Sequence, residues 1–205
     1  MPFGNRLCRI VAGVGTIAGM THEFDKAYWE QHWRGREGGS PPNPYLARET
    51  AGLTPGTALD AGCGTGAEAI WLAERGWEVT AADISSAALA RAAARGSGVR
   101  WIEADLTAWE PDTRFDLVTT HYAHPAMPQL DFYSRIAGWV APGGTLLIVG
   151  HLHGHDQPDE ASATAAAITA RLSEEDWKVE TAEESERSFH GHGVLHDVVV
   201  RATRR

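Results

Sequence analysis

The sequence is poor in cysteine. Among its 205 residues only Cys8 and Cys63 carry thiols, too few for the disulfide framework that stabilises small secreted domains. Cys63 also lies inside a glycine-rich run, where a disulfide would obstruct a ligand, so it is interpreted as a small residue of a turn rather than as a nucleophile. A reducing compartment, the cytoplasm, fits this composition best.

Long apolar runs are also lacking. The most apolar N-terminal stretch, residues 10–19, is short and interrupted by glycines, whereas a membrane-spanning helix takes about 20 apolar residues. Arg6 and Arg9 precede this stretch as in a signal peptide. Because the residues after Met20 can open a helix, we instead expect residues 1–20 to be a disordered tail or a mis-started segment. The sequence predicts no membrane association.

Positive charge is scarce. Lys and Arg number 18 against 27 Asp and Glu, and the formal net charge is −9. Binding to a phosphate backbone needs clustered basic residues, so nucleic acid is not an expected partner. The length and the 43% hydrophobic content suit one domain with its own core.

A glycine-rich run follows the first short apolar strand. Residues 58–66 read ALDAGCGTG, and residues 67–73 continue as the start of an amphipathic helix. Glycines let a backbone approach a ligand closely, and the free N–H groups of a helix start bind polar atoms. Asp83 ends the next apolar run, where a carboxylate can accept from both hydroxyls of a ribose. This order of elements predicts a nucleotide site.

The glycine spacing distinguishes between nucleotides. Dinucleotide-binding folds use G-x-G-x-x-G, but here Asp60 is followed by G-x-G-x-G at Gly62, Gly64 and Gly66. The run resembles motif I of the class I S-adenosylmethionine-dependent methyltransferases, D-x-G-x-G-x-G. The resemblance continues in order through Asp83-Ile84, EADL at 103–106, FDLV at 115–118 and WVAPGGTLLI at 139–148.

The resemblance implies a cofactor and the residues that bind it. The cofactor would be S-adenosyl-L-methionine, with Asp83 on the ribose, Ile84 flanking the adenosine and Asp105 facing the adenine. The residues expected to bind it are Tyr28, Trp33, Asp60, Gly62, Cys63, Gly64, Gly66, Asp83, Ile84, Asp105, Leu106 and His121.

The apolar pattern predicts an α/β fold with a doubly wound, Rossmann-like, seven-stranded and mostly parallel sheet. The first five strands alternate with helices, so right-handed crossovers make them parallel, and the ligand lies at their carboxyl ends near the switch in strand order. A short connection at 191–193 predicts a final hairpin whose last strand is antiparallel, as in the methyltransferases. Strands are predicted at 57–61, 78–82, 99–103, 117–120, 145–149, 178–188 and 196–203. Helices are predicted near 24–33, 45–51, 67–75, 85–95, 130–140 and 161–172.

An aromatic segment precedes the first strand. It contains Tyr28, Trp29, His32 and Trp33, and a proline-rich loop follows. The segment looks similar to the N-terminal lid of thiopurine- and tellurite-resistance-type methyltransferases. We expect residues 21–52 to form a helical lid on a methyltransferase domain at 53–205, because aromatic faces attract a cation such as a sulfonium. Plain core packing of the tryptophans is the alternative.

Candidates for catalysis lie at the ends of the fourth and fifth strands. His121 is the first candidate for a base or positioning group, since an imidazole titrates near neutral pH. Its alternative role is a hydrogen bond to the loop or the cofactor. Tyr122, which can orient the acceptor or pack over the methionine moiety, and His151, which can face the substrate, complete the catalytic set.

Histidines are frequent near the ends of the last three strands. Alternation at 151, 153 and 155 admits a metal site, but Gly154 supplies no preorganised shell, and no metal is predicted. His196 and Asp197 in the last strand are interpreted as structural.

The features together predict a methyltransferase that transfers a methyl group by in-line displacement to a small molecule. The nucleophile is left open among oxygen, nitrogen, sulfur and a chalcogen. The alternative is a non-catalytic S-adenosylmethionine-binding regulatory or scaffold protein, and a dehydrogenase is opposed by the glycine spacing. A homodimer is left open.

Overall fold

The computed structural model describes residues 24–34, 39–152, 163–188 and 194–205. The expected tail at 1–20, His153, His155 and the hairpin turn at 191–193 lie outside these residues. None of the helices in the described part has the length and apolar character that crossing a membrane needs.

The chain alternates between short helices and strands. The strands are β1 (Thr57–Ala61), β2 (Glu78–Asp83), β3 (Val99–Glu103), β4 (Phe115–His121), β5 (Val140–His151), β6 (Trp177–Ser188) and β7 (Val194–Arg204). The helices are α1 (Lys26–Trp33), α2 (Pro44–Thr50), α3 (Ala67–Ala73), α4 (Ser86–Arg95), α5 (Gln129–Ala137) and α6 (Ala165–Thr169).

All seven strands form one sheet in the order β3-β2-β1-β4-β5-β7-β6. Strands β1 to β5 pair in parallel, and β7 pairs antiparallel with both β5 and β6. The predicted fold class and the antiparallel last strand are confirmed. Because the chain leaves β1 toward β2 on one side and returns to β4 on the other, a crevice opens at the carboxyl ends of β1 and β4.

Each face of the sheet carries its own hydrophobic core. Side chains alternate along β5, where Leu146 and Ile148 pack toward one core and Leu147 and Val149 toward the other. The first core includes side chains of α5 and α6, and the second includes side chains of α2, α3 and α4. Burial on both faces explains why β5 reads as a continuous apolar run.

Several predicted element boundaries are wrong. The helix predicted to reach residue 140 ends at Ala137, and β5 begins at Val140 rather than at 145, because Val140 already pairs with Phe115 of β4. The positive φ of Gly143, 77°, lets the strand bend within this irregular pairing. The helix predicted at 161–172 is shorter, since Thr164 caps α6 through the N–H of Ala167.

The predicted alternation of strands with helices fails once. Residues 104–114, which are described in full, connect β3 to β4 with turns and no helix. Asp105 accepts from the N–H and hydroxyl of Thr107, an arrangement that favours a turn over a helix.

Candidate active site

The turn after β1 is shaped by glycines. Gly62, Gly64 and Gly66 have φ values of 83°, 50° and 75°, in the left-handed region that other residues rarely adopt. A Cβ at Gly66 would lie 2.4 Å from a ring carbon of Trp101, and one at Gly62 would lie 2.3 Å from the Cβ of Ala123. Glycine is therefore required at these two positions by both conformation and space.

Asp83 joins the ends of β1 and β2. Its Oδ2 accepts from the N–H of Gly64 at 2.8 Å, and its Oδ1 accepts from the N–H of Ser85 at 2.9 Å. The side chain is buried, and burial raises the pKa of its carboxyl group. Since each carboxylate oxygen has a second lone pair, Asp83 retains the capacity to accept from a ligand hydroxyl beside the glycine turn.

Asp60 is a buried carboxylate with an unsatisfied oxygen. Its exposure is 1%, and its Oδ2 has no hydrogen-bond partner among the described residues. Burial first, and then the charges of Glu68 and Asp83, raise its pKa well above the usual value for an aspartate. A buried polar atom without a partner is costly, so this oxygen fits a ligand that brings a donor or a positive charge.

Helix α1 crosses the carboxyl edge of the sheet. At one side, Oε1 of Glu30 accepts from the N–H of Ser86 at 2.6 Å and from its hydroxyl at 2.9 Å, at the start of α4. At the other side, the indole N–H of Trp29 donates to the carbonyl of His124 at 3.2 Å, in the connection after β4. The helix thus lies over the edge where β1, β2 and β4 end.

The aromatic side chains of α1 divide between two environments. Trp33 lies against the glycine turn, since a Cβ at Gly64 would meet its Cζ2 at 3.1 Å. Tyr28 is 40% exposed and stacks with His32 at 6.1 Å between ring centroids. The structure brings Trp33, but not Tyr28, to the predicted cofactor turn.

His121 ends β4 next to the crevice. Its Nε2 lies 2.9 Å from Oγ1 of Thr119, and its Nδ1 is buried without a partner in the described chain. Burial lowers the pKa of this imidazole, and the charge of Glu68 opposes that effect. His121 is therefore uncharged at neutral pH.

Tyr122 and His151, the other predicted catalytic residues, lie in contact. Their rings stack with centroids 3.9 Å apart and an interplanar angle of 16°. The Tyr122 hydroxyl accepts from Nδ2 of Asn43 at 2.9 Å and donates to Oδ1 of Asp197 at 3.1 Å. Nδ1 of His151 lies 3.4 Å from the same Asp197 oxygen. The network thus adds two residues that the sequence prediction had not included in the site.

The remaining predicted cofactor residues differ in environment. Ile84 is half-buried directly after β2, whereas Leu106 is packed in a hydrophobic core. Asp105 is exposed, and its Oδ1 accepts from Thr107 of its own turn. Burial raises the pKa of the Cys63 thiol well above its usual value, so this thiol is a poor nucleophile.

The histidines at and after the end of β5 are candidate metal ligands by residue type. Within the described ranges, no three His, Cys, Asp or Glu side chains come together as a metal site. His153 and His155, on which the metal alternative depended, are outside those ranges.

Comparisons with known proteins agree with this geometry. Residues 58–144 match the family model of the methyltransferase domain, and they contain the glycine turn, Asp83 and the strands β1 to β4. This part of the chain is therefore similar to a methyltransferase domain. The match agrees with the resemblance that the sequence motifs predict.

Three similar proteins define how far the likeness extends. An uncharacterised methyltransferase of Mycobacterium tuberculosis is 43% identical over 95 residues, which cover 44% of this chain and 48% of that protein. A probable thiol methyltransferase of Arabidopsis thaliana is 30% identical over 136 residues, covering 58% of this chain and 59% of that protein. The chain thus spans about half the length of the curated relatives it matches. A solved structure has 27% sequence identity to this chain and a TM-score of 0.66, and the match covers 87% of this chain and 92% of that one. That structure concerns the conversion of a disulfide bond into a thioacetal group during echinomycin biosynthesis.

Sequence reasoning missed several residues of this edge. Asn43 had a recognisable signal, because an asparagine before a proline marks a helix start, and its side chain does cap α2. Glu30, Trp101 and Asp197 gave no comparable signal, since their partners at the site are distant in sequence.

Proposed function

We propose that the protein methylates a small-molecule thiol with S-adenosylmethionine as the methyl donor. The observation that carries the proposal is the glycine turn at the end of β1, bonded to Asp83 and covered by α1 at the point where the strand order reverses. Ligands of open α/β sheets bind at such a switch point.

The residues of this edge fit the cofactor. Asp83 would accept from the ribose hydroxyls, and the glycine turn would let the ligand approach the backbone. The unsatisfied oxygen of Asp60 suits a positively charged group, and the indole of Trp33 suits a cation close to Gly64. When bound, the cofactor supplies a methyl group activated by the positive charge of its sulfonium.

The protein then contributes binding, alignment and exclusion of water more than acid–base chemistry. Helix α1, held to the start of α4 by Glu30 and to the connection after β4 by Trp29, would close the edge against solvent. His121 would remain neutral within the wall, because burial lowers its pKa.

Two observations support a small thiol as the acceptor. Two similar proteins above 25% identity are described by a sulfur chemistry: one is a probable thiol methyltransferase, and the other concerns a disulfide-to-thioacetal conversion. In addition, only residues 122–128 connect β4 to α5, which leaves that side of the crevice without an inserted domain for a protein substrate. A thiol, with an ordinary pKa of about 8.5, also ionises more readily at neutral pH than a phenol, at about 10.

An acceptor panel tests the proposal. The full chain is incubated with S-adenosylmethionine and small thiols, phenols, amines or chalcogen oxyanions, and release of adenosylhomocysteine is measured. We expect release with one or more thiols well above the reaction without acceptor. The variant Gly66→Ala should lose this activity. Gly98→Ala is the matched control, because Gly98 has a similar φ and no atom within 4 Å of its Cβ position. Release with a phenol or an amine but with no thiol would contradict the proposed acceptor.

A further inference from the structure

Asp197 is a fully buried carboxylate on the last strand of the sheet. It lies on β7 as the register partner of His151 on β5, and its exposure is 0%. Its Oδ1 accepts from the hydroxyl of Tyr122 at 3.1 Å and lies 3.4 Å from Nδ1 of His151. A buried carboxylate is costly unless it is hydrogen-bonded, and here its neighbours are two side chains of the crevice.

Tyr122 is held in a disfavoured backbone conformation at this place. Its φ of 56° is the one positive value among the described residues other than glycine. The conformation is maintained by its N–H, which donates to the carbonyl of Val149 at 2.9 Å, and by the stacking of its ring on His151. Such strain persists only where surrounding contacts enforce it, and it is concentrated at functional sites.

The same contacts reach the cofactor side. Asn43 donates through Nδ2 to the Tyr122 hydroxyl and through its backbone N–H to Oε1 of Glu68, each at 2.9 Å. Glu68 lies in the first turn of α3, directly after the glycine turn. The group of Asn43, Tyr122, His151 and Asp197 is therefore continuous with the helix that begins at the cofactor site.

The chemistry of the group is that of an oriented histidine. A carboxylate beside Nδ1 favours the imidazole tautomer with its proton on Nδ1, which makes Nε2 the basic nitrogen. Asp197 from β7 and Tyr122 from the end of β4 are titratable groups that lie against His151. The His151 side chain is 26% exposed, whereas Nδ1 of His121 is buried and its Nε2 is next to Thr119.

We propose that His151 takes the proton of the acceptor thiol and that Asp197 is the positioning residue that fixes its tautomer. This inference rests on the proposed function. In the step, the S–H bond of the acceptor breaks, the proton passes to Nε2 of His151, and the electron pair stays on sulfur, which becomes the nucleophile. The imidazolium later returns the proton to solvent.

Two thiols of different acidity test His151. An alkyl thiol is mostly protonated at pH 7, whereas an aromatic thiol of low pKa is already ionised and needs no base. His151→Gln should lower turnover of the alkyl thiol about 100-fold or more and turnover of the acidic thiol only a few-fold. Equal losses for both thiols, in an otherwise active protein, would overturn the inference. A wild-type protein that methylates neither thiol would overturn the proposed function as well, so the two failures are distinguishable.

The tautomer of His151 tests Asp197 without turnover. Nitrogen-15 NMR of the cofactor-free protein should show the imidazole protonated on Nδ1 in the wild type and shifted toward the Nε2-protonated form in Asp197→Asn. His196→Gln is the matched control, because this neighbour on β7 is exposed and lies beside Glu186 rather than in the group. An Nε2-protonated imidazole in the wild type would overturn the role of Asp197. If Asp197→Asn does not fold, the wild-type spectrum alone decides.

Discussion

The backbone N–H of Gly64 donates to Oδ2 of Asp83 at 2.8 Å. This bond ties the turn after β1 to the acid after β2, so one carboxylate both fixes the glycine turn and marks the place where a ribose would be bound. The spacing that carries the resemblance to the methyltransferases in the sequence is thus a contact in the structure.

Replacing Asp83 by Ala should weaken S-adenosylmethionine binding by about 1–3 kcal/mol, because the variant loses the acceptor for the ribose hydroxyls and the bond to Gly64. Isothermal titration calorimetry measures the change. Asp112→Ala is the control, since Asp112 is an exposed aspartate of the connection before β4. An unchanged affinity in Asp83→Ala would show that the carboxylate does not hold the ligand.

Replacing Trp33 by Ala should weaken binding of S-adenosylmethionine more than binding of adenosylhomocysteine, by about 0.5–2 kcal/mol, because an aromatic face attracts the sulfonium cation. Both ligands are titrated into each variant. Tyr28→Ala should cause the smaller loss, since Tyr28 is on the exposed side of α1. Equal losses for the two ligands in Trp33→Ala would assign that indole to packing alone.

Gly66→Ala should destabilise the fold more than Gly98→Ala. Both glycines have left-handed φ values, 75° and 83°, so each substitution costs about 1–2 kcal/mol in backbone strain. Only at Gly66 does the new Cβ meet a ring, that of Trp101, which adds about 1–3 kcal/mol. Urea denaturation of both variants gives the difference, and equal losses of unfolding free energy would contradict the crowding described at the turn.

His121 should make the protein less stable in mild acid. Because burial lowers the pKa of His121 below 6.5, the unfolded chain binds a proton at a pH where the folded protein does not. The free energy of unfolding is therefore highest above about pH 6.5, and it decreases as the pH falls toward the pKa of His121 in the folded protein. The melting temperatures of the wild type and of His121→Asn are measured at about pH 7.5 and about pH 5.5. Between these two pH values, the melting temperature of the wild type should fall more than that of the variant. Parallel falls would contradict a buried neutral imidazole.

The succession of strands along the chain and the glycine turn were predictable because they depend on local signals. The run from Asp60 to Gly66 contains its own turn geometry, and Ser85 and Gly96 mark the ends of α4 as expected. Such signals depend on residues a few positions apart, so they are visible in a single sequence.

The acceptor side was not predictable to the same extent. The positions of His151 and Tyr122 at strand ends are visible in the sequence, but the stacking of their rings depends on where β4 and β5 end relative to each other. Asp197 gives no local signal of a site, because only the antiparallel register of β7 against β5 places it beside His151. Long-range pairing of this kind leaves no local pattern in the sequence.

The most direct test of the cofactor site at the ends of β1 and β4 is a calorimetric comparison of ligand affinities. S-adenosylmethionine and adenosylhomocysteine should bind the wild-type protein at least tenfold more tightly than NAD, a difference of about 1.4 kcal/mol or more. NAD binding as tight as that of S-adenosylmethionine would contradict this prediction.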